Sequence, residues 1–133
     1  MLNELCVPIN SEADLVTARL RGREMASVLH FSSSEQTLIA TAISEVARNI
    51  LSYAGTGQVD LKLVRDGQKS GMSVIASDRG PGIPDLASAM QDGYSTSGSL
   101  GLGLPGSKRL MDEFDLSSSI GLGTTVSMTK WKM

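Results

Sequence analysis

The chain has 133 residues, 41% hydrophobic and 20% charged, the proportions of one globular domain (1–133) with a real core and no room for a second. A formal charge of -2 at pH 7, spread without blocks, excludes nucleic-acid binding by phosphate neutralisation. One cysteine (Cys6) and one histidine (His30) exclude an internal disulfide and a Cys/His metal cluster, and no stretch approaches the roughly 20 apolar residues of a membrane span, so a reducing, cytoplasmic setting is expected.

Leu2, Leu5, Val7 and Ile9 predict a first strand over 2–9, and Pro8 suits it to a sheet edge. From Ser11, a capping residue, Leu15, Ala18, Gly22, Met25, Ala26 and Leu29 recur at helical spacing. A serine cluster, 32–34, opens the strongest helix, in which Ile39, Ala42, Ile43, Val46, Ile50 and Leu51 keep the 3.6 period until Gly55 ends it. Val59, Leu61 and Leu63, then Met72, Val74 and Ala76, alternate on either side of a polar turn and predict two antiparallel strands. A long connection with short helices follows to Pro105, then a helix from Pro105 to Phe114 and a last hairpin turning at 121–123. This order implies an α+β protein of two layers, a mostly antiparallel mixed sheet with helices on one face. The connection from Asp78 to Pro105 is too long for an idle loop, so function is expected there.

Three segments carry the chemistry. Glu45 and Asn49 in "SEVARN" share one helix face about a turn apart and can point a carboxylate and an amide into one cavity; a solvated helix face accounts for the pair equally. In "DRGPGI", Asp78 ends an apolar strand and could accept a hydrogen bond from an exocyclic amine such as that of adenine. There Gly80 and Gly82 let backbone pass close to a flat ring, although the same string makes an ordinary turn. In "GYSTSGSLGLGLPGSKR", Gly101 and Gly103 remove side chains where phosphate oxygens would approach, and the helix that follows adds its positive end. The glycine spacing fits neither a P-loop nor a dinucleotide fingerprint.

Taken in order with "GTT" at 123–125, these segments resemble the N, G1 and G2 boxes and closing Gly-Thr of the GHKL ATPase and kinase superfamily, with its Bergerat ATP-binding fold. Within it, "TAISEVARNI", "DRGPGIPD" and "GYSTSGSLGLGLPGSKRLMDEF" resemble the serine/threonine kinases of bacterial partner-switching systems, the stressosome switch kinases and their anti-sigma relatives. The likeness covers almost the whole chain.

The resemblance implies ATP and Mg²⁺ as cofactors. Asn49 would bind the metal, whose hard octahedral shell takes amide, water and phosphate oxygens, and Glu45 would be the catalytic base. Asp78 would read the adenine amine, with Gly80, Gly82 and Ile83 around the base. Ser95, Thr96, Ser97, Gly98, Leu100, Gly101, Leu102, Gly103 and Leu104 would close over the phosphates, and Thr124 or Thr125 would bond near the adenine. Anti-sigma relatives carry an arginine before the G2 glycines; here "TSGSLGLG" has none, which leaves Arg48, Lys108 or Arg109 to meet phosphate charge. Many relatives have a histidine shortly after the N-box asparagine, where this chain has Ser52 and Tyr53. The implied partners are a STAS-domain substrate within a stressosome and, on release, a PP2C-type phosphatase. One exposed patch near the lid would serve both in turn.

A nucleotide-binding module that sequesters partners without turnover is the alternative reading, and Glu45 argues against it, since binding alone needs no base. A histidine kinase is a weaker third: His30 fits a surface or capping position. Met25, Met72, Met90 and Met111 read as core filler, and Cys6 and Trp131 as packing near the chain termini.

Overall fold

The computed structural model describes residues 4–81 and 103–132. Its elements are β1 (Glu4–Ile9), α1 (Glu12–Val28), α2 (Ser33–Tyr53), β2 (Gly57–Asp66), β3 (Lys69–Asp78), α3 (Gly103–Leu110), β4 (Glu113–Ser119) and β5 (Gly123–Lys132). The five strands form one sheet in the order β1-β2-β3-β5-β4, and each neighbouring pair is antiparallel. The expected α+β class holds, and the described strands include no parallel pair. Pro8 lies on edge strand β1, where a missing donor costs little.

Both long helices begin where the sequence places serines. Ser11 accepts the Asp14 N–H, and Asp14 accepts the Asn10 N–H in return. Ser32 and Glu35 form a reciprocal capping box, each side chain accepting the other's backbone N–H at 3.1 Å. α1 ends in a Schellman arrangement: the N–H groups of His30 and Phe31 return to Ser27 and Ala26, and His30 takes the left-handed φ of 65° that this motif demands. His30 is thus an exposed capping residue. Gly55, at φ 79°, ends α2.

The helices cover one face of the sheet. Ile39, Ala42, Ile43, Val46 and Ile50 of α2 meet Val59, Leu61, Met72, Val74, Val126 and Met128 of the strands, all essentially inaccessible to water. Gly22 of α1 lets the helices close: a Cβ there would lie 2.1 Å from the Ile43 Cδ1 atom. Met25, Met72 and Met111 are buried as expected. The opposite sheet face is mostly polar along β3 and β5, with Ser73, Ser77, Thr125, Ser127 and Thr129 alternating with the core residues and one exposed aliphatic residue, Ile75, among them. No described helix is long and apolar enough to cross a membrane.

Three expectations change. The helix expected over Pro105 to Phe114 runs from Gly103 to Leu110, and Phe114 belongs to β4. Leu110, Met111 and Phe114 imitate a helical stripe, but the Asp112 N–H bonds the Thr129 carbonyl and its carboxylate accepts the Trp131 N–H, which starts the β4–β5 ladder. Trp131 is only half-buried; it lies over Gly71, donates its indole N–H to Glu113 at 2.6 Å and carries Lys69 5.2 Å above its ring. Cys6 points to the polar face and is exposed; what burial it has, then the Asp60 carboxylate that bonds it, raise its thiol pKa, which makes it a poor nucleophile.

Replacing Ser32 with alanine removes one half of the capping box and should lower stability by about 1 kcal/mol. Urea unfolding followed by circular dichroism checks this: the midpoint falls while the slope is unchanged.

Candidate nucleotide-binding site

The antiparallel order brings five strand ends to one side of the sheet: the last residues of β1, β3 and β4 and the first of β2 and β5. α2 runs toward that side. α3 precedes β4, whose first residue lies at the far side, so α3 runs away and its N-terminus faces the same side as the C-terminus of α2.

Asp78 closes β3 there. It follows Met72, Val74 and Ala76 on the helix-facing side and is 9% exposed, so its carboxylate must be hydrogen-bonded. One oxygen, Oδ1, accepts the N–H of Gly80 at 2.9 Å and of Thr124 at 3.3 Å. Oδ2 has no hydrogen bond among the described residues.

Glycines make this convergence possible. A Cβ on Gly57 would stand 2.5 Å from the Ser77 carbonyl, 2.8 Å from Ile50 and 3.1 Å from the Asp78 Cβ; on Gly80 it would stand 2.5 Å from the Cβ of Ala54, the residue that caps α2. Gly123, at φ 109°, places its Cα so close to the Asp78 carbonyl that a Cβ would come within 2.1 Å. The turn before it is tied in as well, the Gly121 N–H bonding the Pro81 carbonyl at 2.8 Å.

The two threonines part company. Thr124 is buried beside Asp78, and its hydroxyl lies 3.0 Å from that of Ser118. Thr125 projects to the outer face and lines a cavity of about 510 Å³ with Thr56, Gly57, Gln58, Ser77, Asp78 and Arg79. Thr124 bonds the Asp78 carboxylate through its backbone N–H, and Thr125 shares a cavity wall with Asp78.

Glu45 and Asn49 are both half-buried on α2, beside the stripe that packs on the sheet. Counting back from Ala54 at 1.5 Å per residue, Asn49 stands about 7.5 Å and Glu45 about 13.5 Å up the helix axis. Carboxylate, amide and glutamate therefore follow one another along α2. Asn49 makes no side-chain hydrogen bond to another described residue. Arg48 is engaged by Glu12 of α1 at 3.5 Å and so points toward α1, while Lys108 is exposed on α3. Gly103 and Leu104 open α3. Gly82, Ile83, Ser95, Thr96, Ser97, Gly98, Leu100, Gly101 and Leu102, together with the short helices expected in that connection and Met90, lie outside the described residues.

Sequence reasoning missed Gly57, Ala54 and Ser118. The "GTG" after α2 hints at the first; nothing in the sequence marks the others, because their roles come from strand register.

With this geometry in view, residues 9–130 match the family described as Histidine kinase-like ATPase domain. The chain belongs to that family. This ATPase-domain chain is 53% identical over 131 residues, 98% of each chain, to the serine/threonine-protein kinase RsbT of Bacillus subtilis. It is 34% identical over 99 residues, 70% of its own length and 68% of the relative's, to an anti-sigma F factor of Thermoanaerobacter sp.. Among solved structures, the crystal structure of the RsbU and RsbW domains of a Mycobacterium tuberculosis protein superposes with a TM-score of 0.66 at 22% identity, over 99% of this chain and 34% of that one, and shows a shared fold. The RsbT likeness, nearly end to end, makes this ATPase-domain chain a serine/threonine protein kinase that uses ATP.

Replacing Gly123 with alanine forces a Cβ into the Asp78 carbonyl and should cost several kcal/mol, whereas Gly121→Ala, at φ 80° but in open space, should cost on the order of 1 kcal/mol. Thermal unfolding of the two variants checks the difference; equal losses would show that the close approach carries no weight.

Proposed function

We propose that this kinase transfers the γ-phosphoryl group of ATP, with Mg²⁺, to a serine or threonine hydroxyl of a STAS-domain protein, and that on release from that substrate it activates a PP2C-type phosphatase. The arrangement that carries the reading is Asp78, which holds its own loop and the start of β5 through one carboxylate oxygen, beside the C-terminal end of the helix that carries Asn49 and Glu45. The whole chain acts as one nucleotide-binding domain.

In this reading Asp78 Oδ2 accepts a hydrogen bond from the exocyclic amine of adenine, and Gly80 leaves room for the ring. Thr124, oriented by Ser118, bonds nearby. Asn49 suits the metal because Mg²⁺ keeps most of its shell as water and phosphate oxygen and asks the protein for one or two hard donors; no cluster of three acidic, histidine or cysteine residues that could hold a metal by itself occurs among the described residues. The metal supplies charge neutralisation on the phosphates. Glu45, farthest along α2, takes the hydroxyl proton as the substrate oxygen bonds to the γ-phosphorus and ADP leaves. The helix-start amides at Gly103 and Leu104, with Gly82 and Ile83 and the lid residues from Ser95 to Leu102, enclose base and phosphates. Lys108 is the basic residue assigned to phosphate, since Arg48 is held by Glu12.

The decisive experiment incubates the protein with Mg²⁺, ATP and each STAS-domain protein of its own genome, and maps phosphate by mass spectrometry. Modification of a serine or threonine in one of them is expected; an unmodified panel overturns the substrate assignment. Glu45→Ala should retain nucleotide affinity by calorimetry and lose transfer by roughly 10²- to 10⁴-fold. Asn49→Ala should abolish the magnesium dependence of nucleotide binding, and a variant that binds as the parent does removes Asn49 from the metal.

A further inference from the structure

Strand register lines up three polar side chains across the sheet. Asp78 of β3 pairs with Thr124 of β5, and Thr124 pairs with Ser118 of β4. The two rows before it on the same, helix-facing side are apolar throughout: Ala76, Val126 and Leu116, then Val74, Met128 and Phe114. Thr124 is buried and Ser118 half-buried, and valine has the shape of threonine, so filling this row asks for no hydroxyl. What the row holds instead is a chain of hydrogen bonds. The Thr124 N–H donates to Asp78 Oδ1 at 3.3 Å, the Thr124 and Ser118 hydroxyls lie 3.0 Å apart, and Ser118 Oγ donates to the Gly123 carbonyl at 3.4 Å. A hydroxyl has one proton and two lone pairs, and a carbonyl can only accept. The Ser118 proton therefore goes to Gly123, and Thr124 is the donor across the 3.0 Å contact. Its proton is taken, and its oxygen keeps only lone pairs.

We infer that Ser118 is a positioning residue for base selection: by accepting the Thr124 proton it leaves Asp78 and Thr124 as acceptors only, which selects a 6-aminopurine nucleotide over a 6-oxopurine one. The inference rests on the nucleotide reading above. An exocyclic amine brings two hydrogens to such a row, whereas a 6-oxo group sets lone pairs against lone pairs. Asp78 by itself supplies only part of that contrast, because a neighbouring hydroxyl free to turn would donate to the oxo group. Ser118, on edge strand β4, removes this freedom and acts through Thr124 rather than on the base.

The test measures the affinity of the full chain for ATP and for inosine triphosphate, both with Mg²⁺, by calorimetry. The parent should favour ATP, and Ser118→Ala should lower that preference about fivefold, chiefly by tightening inosine triphosphate. Ser118→Thr keeps the accepting oxygen and should restore the parent's ratio. Thr124→Val, which removes the hydroxyl and keeps the shape, should make the ratio insensitive to Ser118→Ala, as expected of a residue that acts through Thr124. An unchanged ratio in Ser118→Ala overturns the role of Ser118 and leaves the nucleotide reading intact. Equal weakening of both nucleotides makes Ser118 a structural support and also overturns it, as does a threonine variant that fails to restore the ratio. A parent that binds neither nucleotide overturns the nucleotide reading together with the inference.

Discussion

The structure turns on the buried carboxylate that closes β3. Asp78 reaches the helix side of the sheet, where a charged group is tolerated only if its oxygens are satisfied, and two backbone N–H groups from different segments satisfy one of them. Those bonds fix the exit of β3 against the start of β5. Glycines at 57, 80 and 123 supply the closeness they require, and in each case a methyl group would overlap neighbouring atoms. The site is thus an outcome of backbone packing before any side chain is asked to do chemistry.

α2 links that packing to Glu45 and Asn49. One face of the helix forms the centre of the core, and the positions beside it carry Glu45 and Asn49, so the geometry of both residues is set by buried neighbours such as Val46 and Ile50. Ile50 is also a neighbour of Gly57 and, through it, of Asp78. The N-terminus of α3 arrives at the same side because the chain must still cross back to begin β4.

Exposed large aliphatic side chains lie on α1 at Val16, Leu20 and Val28, on the outer sheet face at Ile75, and at the β4–β5 turn at Ile120 and Leu122. Gly121 and Gly123 both allow the turn, and Gly123 alone makes the close approach to Asp78, while the Gly121 N–H ties the turn to Pro81.

Periodicity alone determined the two long helices, the central hairpin and the alternation of β5, because apolar residues at 3.6 or 2 spacing have one arrangement that buries them together. Capping serines and Gly55 determined where α1 and α2 begin and α2 ends. The order of Glu45, Asn49, Asp78 and the glycine-rich stretch was legible as well, since each is local chemistry written in consecutive residues. Tertiary structure decided the rest. It made Phe114 part of a strand although its spacing suits a helix, because the Asp112 bonds to β5 outweigh a short amphipathic stripe. It put Thr124 on the helix side and Thr125 on the outer face, which sequence cannot do, because the face a residue takes depends on strand register. It turned Arg48 toward Glu12 and brought Gly57, Ala54 and Ser118 to the site, since contacts between residues distant in the chain exist only once the strands are paired.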